Sequence, residues 1–293
     1  MTAVEAYEDC RRRYMEASWH LKSAEDYKKW RDSRPIFQNE LATHVGVLLR
    51  LQHTGDAEVM HSLGDAFEIG LGVEKNREEA IDRFRVASQA GHTIAMVRLG
   101  RILGNRNGLN QLEEARYWYQ KAAEGGNTSG MVSLGFAFRE GYGVPVDRVK
   151  AAEWFSKAVE GGHKRAKYFL AKVYYYSLNS TDKALPLLLD EAESENNDAF
   201  WTLGRIYSDD RTNYYDFEKA AYWYERIANG KYAGSAAAAR IALAELYLSG
   251  RRQPKNLSKA KQYLEEVIST SPESAGFWKD ALNLLGKIEK GKA

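Results

Sequence analysis

A Leu-Gly or Leu-Ala pair recurs along this 293-residue chain at intervals of about 33 to 42 residues. The pairs begin at Leu63, Leu99, Leu134, Leu170, Leu203, Leu243 and Leu285. A period in this range, combined with helical spacing of apolar residues, is typical of a solenoid of helix pairs, in which each repeat buries its apolar faces only against its neighbours. The sequence therefore predicts an all-α fold of stacked antiparallel helix pairs.

The first helix of each repeat carries a small residue four positions before the Leu and a large one four positions after it. In the most regular repeat these residues are Gly130, Leu134 and Phe138, which share one helical face. The Gly that follows the Leu, here Gly135, costs about 0.5 to 1 kcal/mol relative to Ala inside a helix. Its recurrence predicts a compensating close approach of the facing helix.

The second helix of each repeat is preceded by a polar residue, four positions before a recurrent Ala, that is suited to cap the helix. These residues are Asn76, Asp147, Ser180, Asp216 and Asn256. The aromatic residues after the Ala, such as Trp154 and Phe155, are predicted to lie in the core. The Gly-x-Gly pairs between the helices, such as Gly141 and Gly143, are interpreted as left-handed turns and not as phosphate-binding loops.

Both ends of the chain depart from the repeat. At the N-terminus, apolar spacing from Val4 predicts an amphipathic helix with Cys10 on its buried face, Pro35 is expected to end a second segment, and residues 40–53 form a third helix. Atypical terminal segments protect the ends of a solenoid. We therefore expect a cap over residues 1–55, repeats over residues 56–270 and a C-terminal capping helix over residues 271–293.

Residues 128–163 resemble the Sel-one-like repeat, a relative of the tetratricopeptide repeat, through their Leu-Gly pair, Gly-x-Gly-Val turn, Lys-Ala-x-x-Trp-Phe segment and closing Gly-Gly. The resemblance extends over about residues 56–289 and weakens after residue 163. It implies a right-handed α-solenoid with units at about 56–92, 93–127, 128–163, 164–197, 198–231 and 232–270. In residues 164–197 the Gly-x-Gly turn is missing, and Pro186 is expected to fit only in the first turn of its helix.

The composition excludes several classes of protein. The 42 basic and 40 acidic residues give a net charge of +2, which provides no basis for binding nucleic acid. A single cysteine, Cys10, rules out an intramolecular disulfide and favours a reducing compartment. The N-terminus lacks the basic and apolar pattern of an export signal, and no apolar run is long enough for membrane insertion. A cytoplasmic location is the resulting expectation.

The sequence contains no recognisable catalytic, cofactor-binding or metal-binding motif, so we expect no enzyme activity, no cofactor and no metal site. His92 and His163 occupy equivalent positions one repeat or more apart and are interpreted as structural. The other histidines, His44 and His61 among them, show no ligand spacing with carboxylates. Asp209 and Asp210 could bind a cation, although a solvated loop is the favoured interpretation.

Function is predicted to reside on the concave surface formed by the first helices, at positions that point away from the Leu stripe. The candidate partner-binding residues are Arg101, Phe136, Tyr168, Lys172, Tyr175, Trp201 and Arg205. Their Trp, Tyr and Arg character is typical of interface hot spots. Tyr168 and Trp201 could equally well pack against the adjacent repeat.

The resemblance implies a non-enzymatic scaffold or adaptor that binds a protein partner in the concave groove. A bacterial immunity protein, which neutralises a toxin by covering its active site, is a narrower form of the same hypothesis. Binding of a peptidoglycan or polysaccharide strand by the aromatic groove is a third alternative.

Overall fold

A computed structural model describes residues 1–19, 24–104, 109–230, 233–250, 252, 254–272 and 275–291. These residues form fifteen α-helices and no strand, which confirms the predicted all-α class. The helices are α1 (Ala3–Trp19), α2 (Ala24–Leu51), α3 (Ala57–Ile69), α4 (Arg77–Gln89), α5 (Thr93–Gly104), α6 (Leu109–Glu124), α7 (Thr128–Glu140), α8 (Arg148–Glu160), α9 (Ala166–Lys172), α10 (Thr181–Glu193), α11 (Asn197–Ser208), α12 (Phe217–Ala228), α13 (Ala233–Leu248), α14 (Leu257–Thr270) and α15 (Gly276–Glu289).

The chain divides into two compact units, residues 1–166 and 167–293. In the first unit, α1 and α2 pack on α3, and each later helix up to α8 packs on the one before it. In the second unit, the same consecutive packing runs from α10 to α15, and α13 also contacts α15. Each unit therefore has the stacked helix-pair arrangement that the repeat predicts.

The recurrent glycines of the first helices lie directly against aromatic rings of the second helices. A Cβ atom added at Gly64 would lie 2.6 Å from Phe84, and one added at Gly135 would lie 2.8 Å from Phe155. At Gly204 the ring of Tyr224 would be only 2.5 Å away. Non-bonded contacts of a Cβ atom are essentially never this short, so no side chain fits there and the predicted close approach is confirmed.

Four of the five predicted N-caps are confirmed. The side chains of Asn76, Asp147, Asp216 and Asn256 each accept a backbone N–H from the first turn of α4, α8, α12 and α14. Ser180 also lies at the N-cap position of α10, but its hydroxyl donates to the carbonyl of Leu178 and makes no cap bond. The prediction of a capping side chain was therefore wrong at this repeat.

The glycine turns between the helices have the predicted left-handed backbone. Gly141 ends α7 with φ of 81°, and Gly143 follows with φ of 66°. A Cβ at Gly143 would lie 2.4 Å from the carbonyl oxygen of Leu112 in the preceding repeat. The Gly-x-Gly pair therefore reverses the chain and lets one repeat approach the backbone of another.

The prediction that Pro35 ends a helix was wrong, because α2 runs through it. Trp30 and Phe37, on either side of Pro35, both pack on the ring of Tyr14 in α1, at centroid distances of 6.3 and 6.1 Å. These contacts hold both halves of α2 against one neighbour. Pro35 itself is exposed, so water can solvate the carbonyl that has lost its N–H partner.

Pro186 also lies beyond the position expected for it, in the second turn of α10 and not the first.

Cys10 is fully buried among the residues that α1, α2 and α3 share, as its place on the apolar stripe predicts. Burial raises the pKa of its thiol to about 11, which makes it inert at neutral pH.

Among the helices of the described residues, none has the length and apolarity that crossing a bilayer requires.

A pair of Gly→Ala substitutions tests the glycine–ring packing. Gly135→Ala should destabilise the fold by about 1 to 3 kcal/mol, because the buried Phe155 ring must move away from the new methyl group. Gly286→Ala is the matched control, since no atom lies within 4 Å of its added Cβ, and it should stabilise α15 by about 0.5 to 1 kcal/mol. Urea unfolding of both variants would measure the difference, and equal effects would contradict the packing role.

Candidate functional site

In each unit, the first helices of the repeats together form one surface. We call this surface the first-helix face of that unit. In the first unit this face carries charges that neutralise each other. Asp65 is only 1% exposed and pairs with Arg11 at 3.0 Å and with Arg98 at 3.5 Å. Glu68 pairs with Arg101 at 2.6 Å and also with Arg98. The predicted contact residue Arg101 is therefore already engaged within the fold.

Phe136, the other candidate in this unit, is half-buried in α7. Its ring packs edge-on against Phe155 at a centroid distance of 5.2 Å, and Arg139 lies over its face at 4.7 Å. Val132, one turn earlier, is 7% exposed. This part of the face therefore consists mainly of core packing around a half-buried ring.

The first-helix face of the second unit begins with a run of aromatic residues. Tyr168 is 7% exposed, and the ammonium group of Lys172 lies 5.5 Å from the centre of its ring. Residues Val173–Ser177 form a π-helical segment, in which the N–H of Leu178 donates to the carbonyl of Val173. A π-helical segment shifts the side chains that follow it out of α-helical register. Such segments are frequent at functional sites.

The π-helical segment brings Tyr175 and Tyr176 together at a centroid distance of 4.6 Å. Tyr175 is half-buried, whereas Tyr176 is exposed, and Arg205 from α11 lies 5.5 Å from the centre of the Tyr176 ring. Trp201, one turn before Arg205, is half-buried against Tyr224 at 5.5 Å. The structure thus joins Tyr175, Tyr176 and Arg205 in one cluster, with Trp201 one turn before Arg205 on α11 and Lys172 over the buried ring of Tyr168.

The cations on this face differ from those of the first unit in their partners. Lys172 and Arg205 lie over aromatic rings, and neither forms an ion pair with a carboxylate of the described residues. Cation–π contacts of this kind position a charge while leaving much of its hydrogen-bonding capacity unused. This face therefore presents positive charge that is available to a partner.

The same face becomes acidic at α13. Glu245, two residues after Leu243, is exposed, and no ion pair joins it to a Lys or Arg of the described residues. Burial raises the pKa of its carboxyl group, the neighbouring Asp280 raises it further, and Lys287 acts in the opposite direction. Sequence reasoning placed Glu245 on this face but did not select it, because the repeat register does not show that Asp280 lies near it.

Two clusters of metal-ligand residue types occur in the first unit, and the sequence analysis identified neither. Glu58 and His61 of α3 come together with His92, which directly precedes α5, and the two histidine rings stack at a centroid distance of 4.4 Å. The expectation that His61 shows no ligand spacing with a carboxylate was therefore wrong. The packing of α3 beside the turn that precedes α5 creates this proximity, which linear spacing does not show.

The hydrogen bonds of His92 are those of a structural residue. Its Nδ1 accepts the N–H of Ala95 at 3.1 Å at the start of α5, so its proton lies on Nε2, which is 3.2 Å from Glu58. A metal-bound histidine normally donates its second N–H, which this arrangement prevents. His163 likewise accepts the N–H of Arg165 through its Nδ1. The interpretation of both residues as structural is confirmed.

The second cluster contains Cys10, Glu40 and His44. Glu40 accepts hydrogen bonds from Arg13, which lowers the pKa of its carboxyl group, and the buried thiol resists ionisation. A metal would have to displace the guanidinium group and deprotonate the thiol.

In the second unit, Asp209 forms an ion pair with Arg211 at 2.8 Å, so its carboxylate is also engaged.

The family model of the Sel1 repeat matches residues 57–92, 93–127, 128–163, 203–232 and 235–266, more than half of the chain. The chain belongs to the Sel1 repeat family. This confirms the resemblance seen in the sequence. The model does not match residues 164–202, where the π-helical segment and α10 replace the regular turn.

Solved structures confirm the Sel1 solenoid fold. A protective antigen of uropathogenic Escherichia coli, described as displaying an SLR fold, matches 85% of this chain and 52% of its own with a TM-score of 0.64 and 24% identity. A Sel1 repeat protein from Oxalobacter formigenes matches 83% of this chain and 94% of its own with a TM-score of 0.58 and 25% identity.

A curated relative, an F-box protein of Arabidopsis thaliana, is 32% identical over 145 residues, which are 49% of this chain and 35% of the relative. The chain therefore spans about a third of that protein's length. Sel1 repeat proteins are typically non-catalytic and generally mediate protein–protein interaction, and the matches indicate no catalytic family. Membership of the Sel1 repeat family thus supports a role in protein–protein interaction and does not identify the partner.

The stacked histidines make the stability of the first unit dependent on pH. Burial lowers the pKa of His61 to about 4 from 6.5, and His92 and Arg98 contribute to the shift. The free energy of unfolding is therefore highest above pH 6.5, the pKa of His61 in the unfolded chain. It should decrease by about 3 kcal/mol as the pH falls to about 4, the pKa of His61 in the folded protein.

His61→Phe should remove this dependence while keeping a ring against His92 and Phe84. Urea unfolding of both proteins at about pH 7 and about pH 4 would show a smaller loss for the variant by about 3 kcal/mol. An equal loss in the two proteins would contradict the role of His61, because all other titrating groups are shared.

Proposed function

We propose that this protein is a non-enzymatic scaffold that binds a segment of a protein partner on the first-helix face of its second unit. The observation that carries the proposal is the pair of cations, Lys172 and Arg205, held over the rings of Tyr168 and Tyr176 without carboxylate partners in the described part of the chain. The corresponding cation of the first unit, Arg101, is paired with Glu68.

Three properties of this face support protein binding. Tyr176 is 48% exposed beside Arg205, and half-buried Trp201 extends the aromatic surface. Tyr, Trp and Arg are the residues most enriched in interface hot spots. The rings are already packed against each other, so little side-chain freedom is lost on binding.

Photocrosslinking in the native host would identify the partner and the face together. A photoreactive amino acid at position 176 should capture the partner, whereas the same residue at position 142, where Tyr142 is 53% exposed in the first unit, should not. Both replaced side chains are exposed tyrosines, so the comparison isolates their location. Capture from position 142 alone would contradict the proposed face.

Lys172→Ala and Arg205→Ala should each weaken binding of the captured partner by about tenfold, which corresponds to about 1.4 kcal/mol. Lys157→Ala is the matched control, because Lys157 also lies over an aromatic ring, that of Trp154 at 4.1 Å, but in the second helix of a repeat of the first unit. It should change the affinity by less than about twofold. Trp201→Ala is a less decisive variant, since Trp201 also packs on Tyr224.

The adaptor and inhibitor roles use the same face, and the nature of the partner separates them. A partner whose enzyme activity is lost on binding would indicate an immunity or inhibitor protein, whereas a partner with unchanged activity would indicate an adaptor. Recovery of a peptidoglycan or polysaccharide strand in place of a protein would contradict the proposal. The proposal places the interaction in the cytoplasm, since the single cysteine is a buried thiol.

A further inference from the structure

The two cations on the first-helix face of the second unit lie over separate rings of one continuous helical stretch. In this stretch, α9 runs directly into the π-helical segment Val173–Ser177. Lys172 lies 5.5 Å from the ring centre of Tyr168, and Arg205 of α11 lies 5.5 Å from that of Tyr176. The two tyrosines are eight positions apart in the chain, which is at most about 12 Å along a helix that rises about 1.5 Å per residue.

The guanidinium group of Arg205 keeps its hydrogen-bonding capacity. The carboxylate nearest to it in the sequence, that of Asp209, accepts from Arg211 through both oxygens, at 2.8 and 2.9 Å. The backbone N–H of Arg211 donates to the same carboxylate at 3.1 Å. Among the described residues, no hydrogen bond or ion pair engages the guanidinium group of Arg205, which rests on the Tyr176 ring. Its N–H donors are therefore available to a bound group.

A tyrosine hydroxyl adds a donor of the same kind. Tyr175 packs edge-on against Tyr176 at a centroid distance of 4.6 Å. Burial raises the pKa of Tyr175, Tyr176 raises it further, and Arg205 acts in the opposite direction, so the hydroxyl keeps its proton and lies within the electrostatic reach of Arg205. Guanidinium groups and phenols both donate to carboxylates, and bonds from Arg to a carboxylate are among the strongest in proteins. The cluster therefore matches a carboxylate.

The placement of Lys172 decides between one bound anionic group and two. Its side chain reaches back one helical turn to Tyr168, in the direction that leads away from Tyr176 and Arg205. Charge-assisted hydrogen bonds are about 2.7 to 2.9 Å long, so a single carboxylate or phosphate group is too small to bond to both cations. Two acidic side chains of one chain can satisfy both.

We propose that the partner segment bound on this face carries two acidic side chains, one bonded to Arg205 beside Tyr176 and the other to Lys172 over Tyr168. The inference rests on the proposed function, because it gives the chemistry of the segment that the same face binds. The exposed ring of Tyr176 and the half-buried ring of Trp201, one turn before Arg205, supply apolar surface for the stems of the acidic residues. The occupant is therefore an acidic stretch of a protein.

A phage-displayed library of random peptides tests this chemistry without the natural partner. Wild-type protein should select peptides in which two positions are Asp or Glu. Arg205→Glu should select peptides with Lys or Arg at one of these positions, and Lys172→Glu should select them at the other, because each variant reverses one charge. Selection of such reversed peptides also shows that the variant is folded. A wild-type selection with fewer than two acidic positions would overturn the inference.

Lys183→Glu is the matched control for both charge reversals. Lys183 is exposed and also lies over a ring of the π-helical segment, that of Tyr174 at 5.6 Å, but it belongs to α10, the second helix of the repeat. The substitution changes the net charge by the same amount as the other two variants. It should select the same acidic positions as wild-type protein. Loss of these positions in Lys183→Glu would show that net charge alone determines the selection, which contradicts the proposed contacts.

The selected peptide and two analogues, in each of which one acidic residue becomes its amide, measure the contacts directly. Each analogue should bind wild-type protein about tenfold more weakly than the parent peptide in a fluorescence anisotropy titration. Arg205→Gln should bind one analogue as tightly as it binds the parent, and Lys172→Gln should do so with the other, because each variant has already lost that contact. Equal binding of the parent and both analogues by wild-type protein would contradict the inference.

The remaining outcomes separate this inference from the proposed function. Peptides that crosslink to a photoreactive residue at position 176, but whose binding does not depend on acidic residues, contradict the acidic segment and leave the binding face intact. Selected peptides that do not crosslink to position 176, or a library that gives no binder, contradict the binding face and the acidic segment together.

Discussion

The fold depends on one recurring contact, a mid-helix glycine of the first helix against an aromatic ring of the second. At Gly64, Gly100, Gly135 and Gly204 an added Cβ would lie 2.5 to 2.8 Å from Phe84, Tyr119, Phe155 and Tyr224. The contact sets the distance between the two helices of a repeat, and the ring that it fixes also reaches the first-helix face. In the second unit that ring is Tyr224, which packs on Trp201. The same interaction that holds the repeat together therefore also positions the binding surface.

Much of the fold could be predicted from the sequence because its determinants are local and repeated. The Leu register, the N-caps and the glycine turns each follow from residue types at fixed spacing, and the structure contains them apart from the cap bond of Ser180. Predictions failed where a contact from another helix decides the local structure. Pro35 does not end α2 because Trp30 and Phe37 both pack on Tyr14, and no property of α2 alone reveals that contact.

The candidate site was less predictable for the same reason. The register shows which residues point away from the Leu stripe, but not which charges find partners there. Arg101 and Arg205 occupy equivalent positions, yet Arg101 pairs with Glu68 and Arg205 lies over Tyr176. The stacking of His61 on His92 likewise arises from the packing of α3 beside the turn that precedes α5. Burial and pairing therefore distinguish positions that the repeat makes equivalent.

The second unit is also where the repeat is least regular, since residues 164–202 fall outside the family match and contain the π-helical segment. A crystal structure of the protein with its captured partner would test the central claim most directly. The account predicts that the partner chain lies across Lys172, Tyr176 and Arg205. A partner that lies on the second helices and leaves Lys172 and Arg205 in contact with solvent would contradict it.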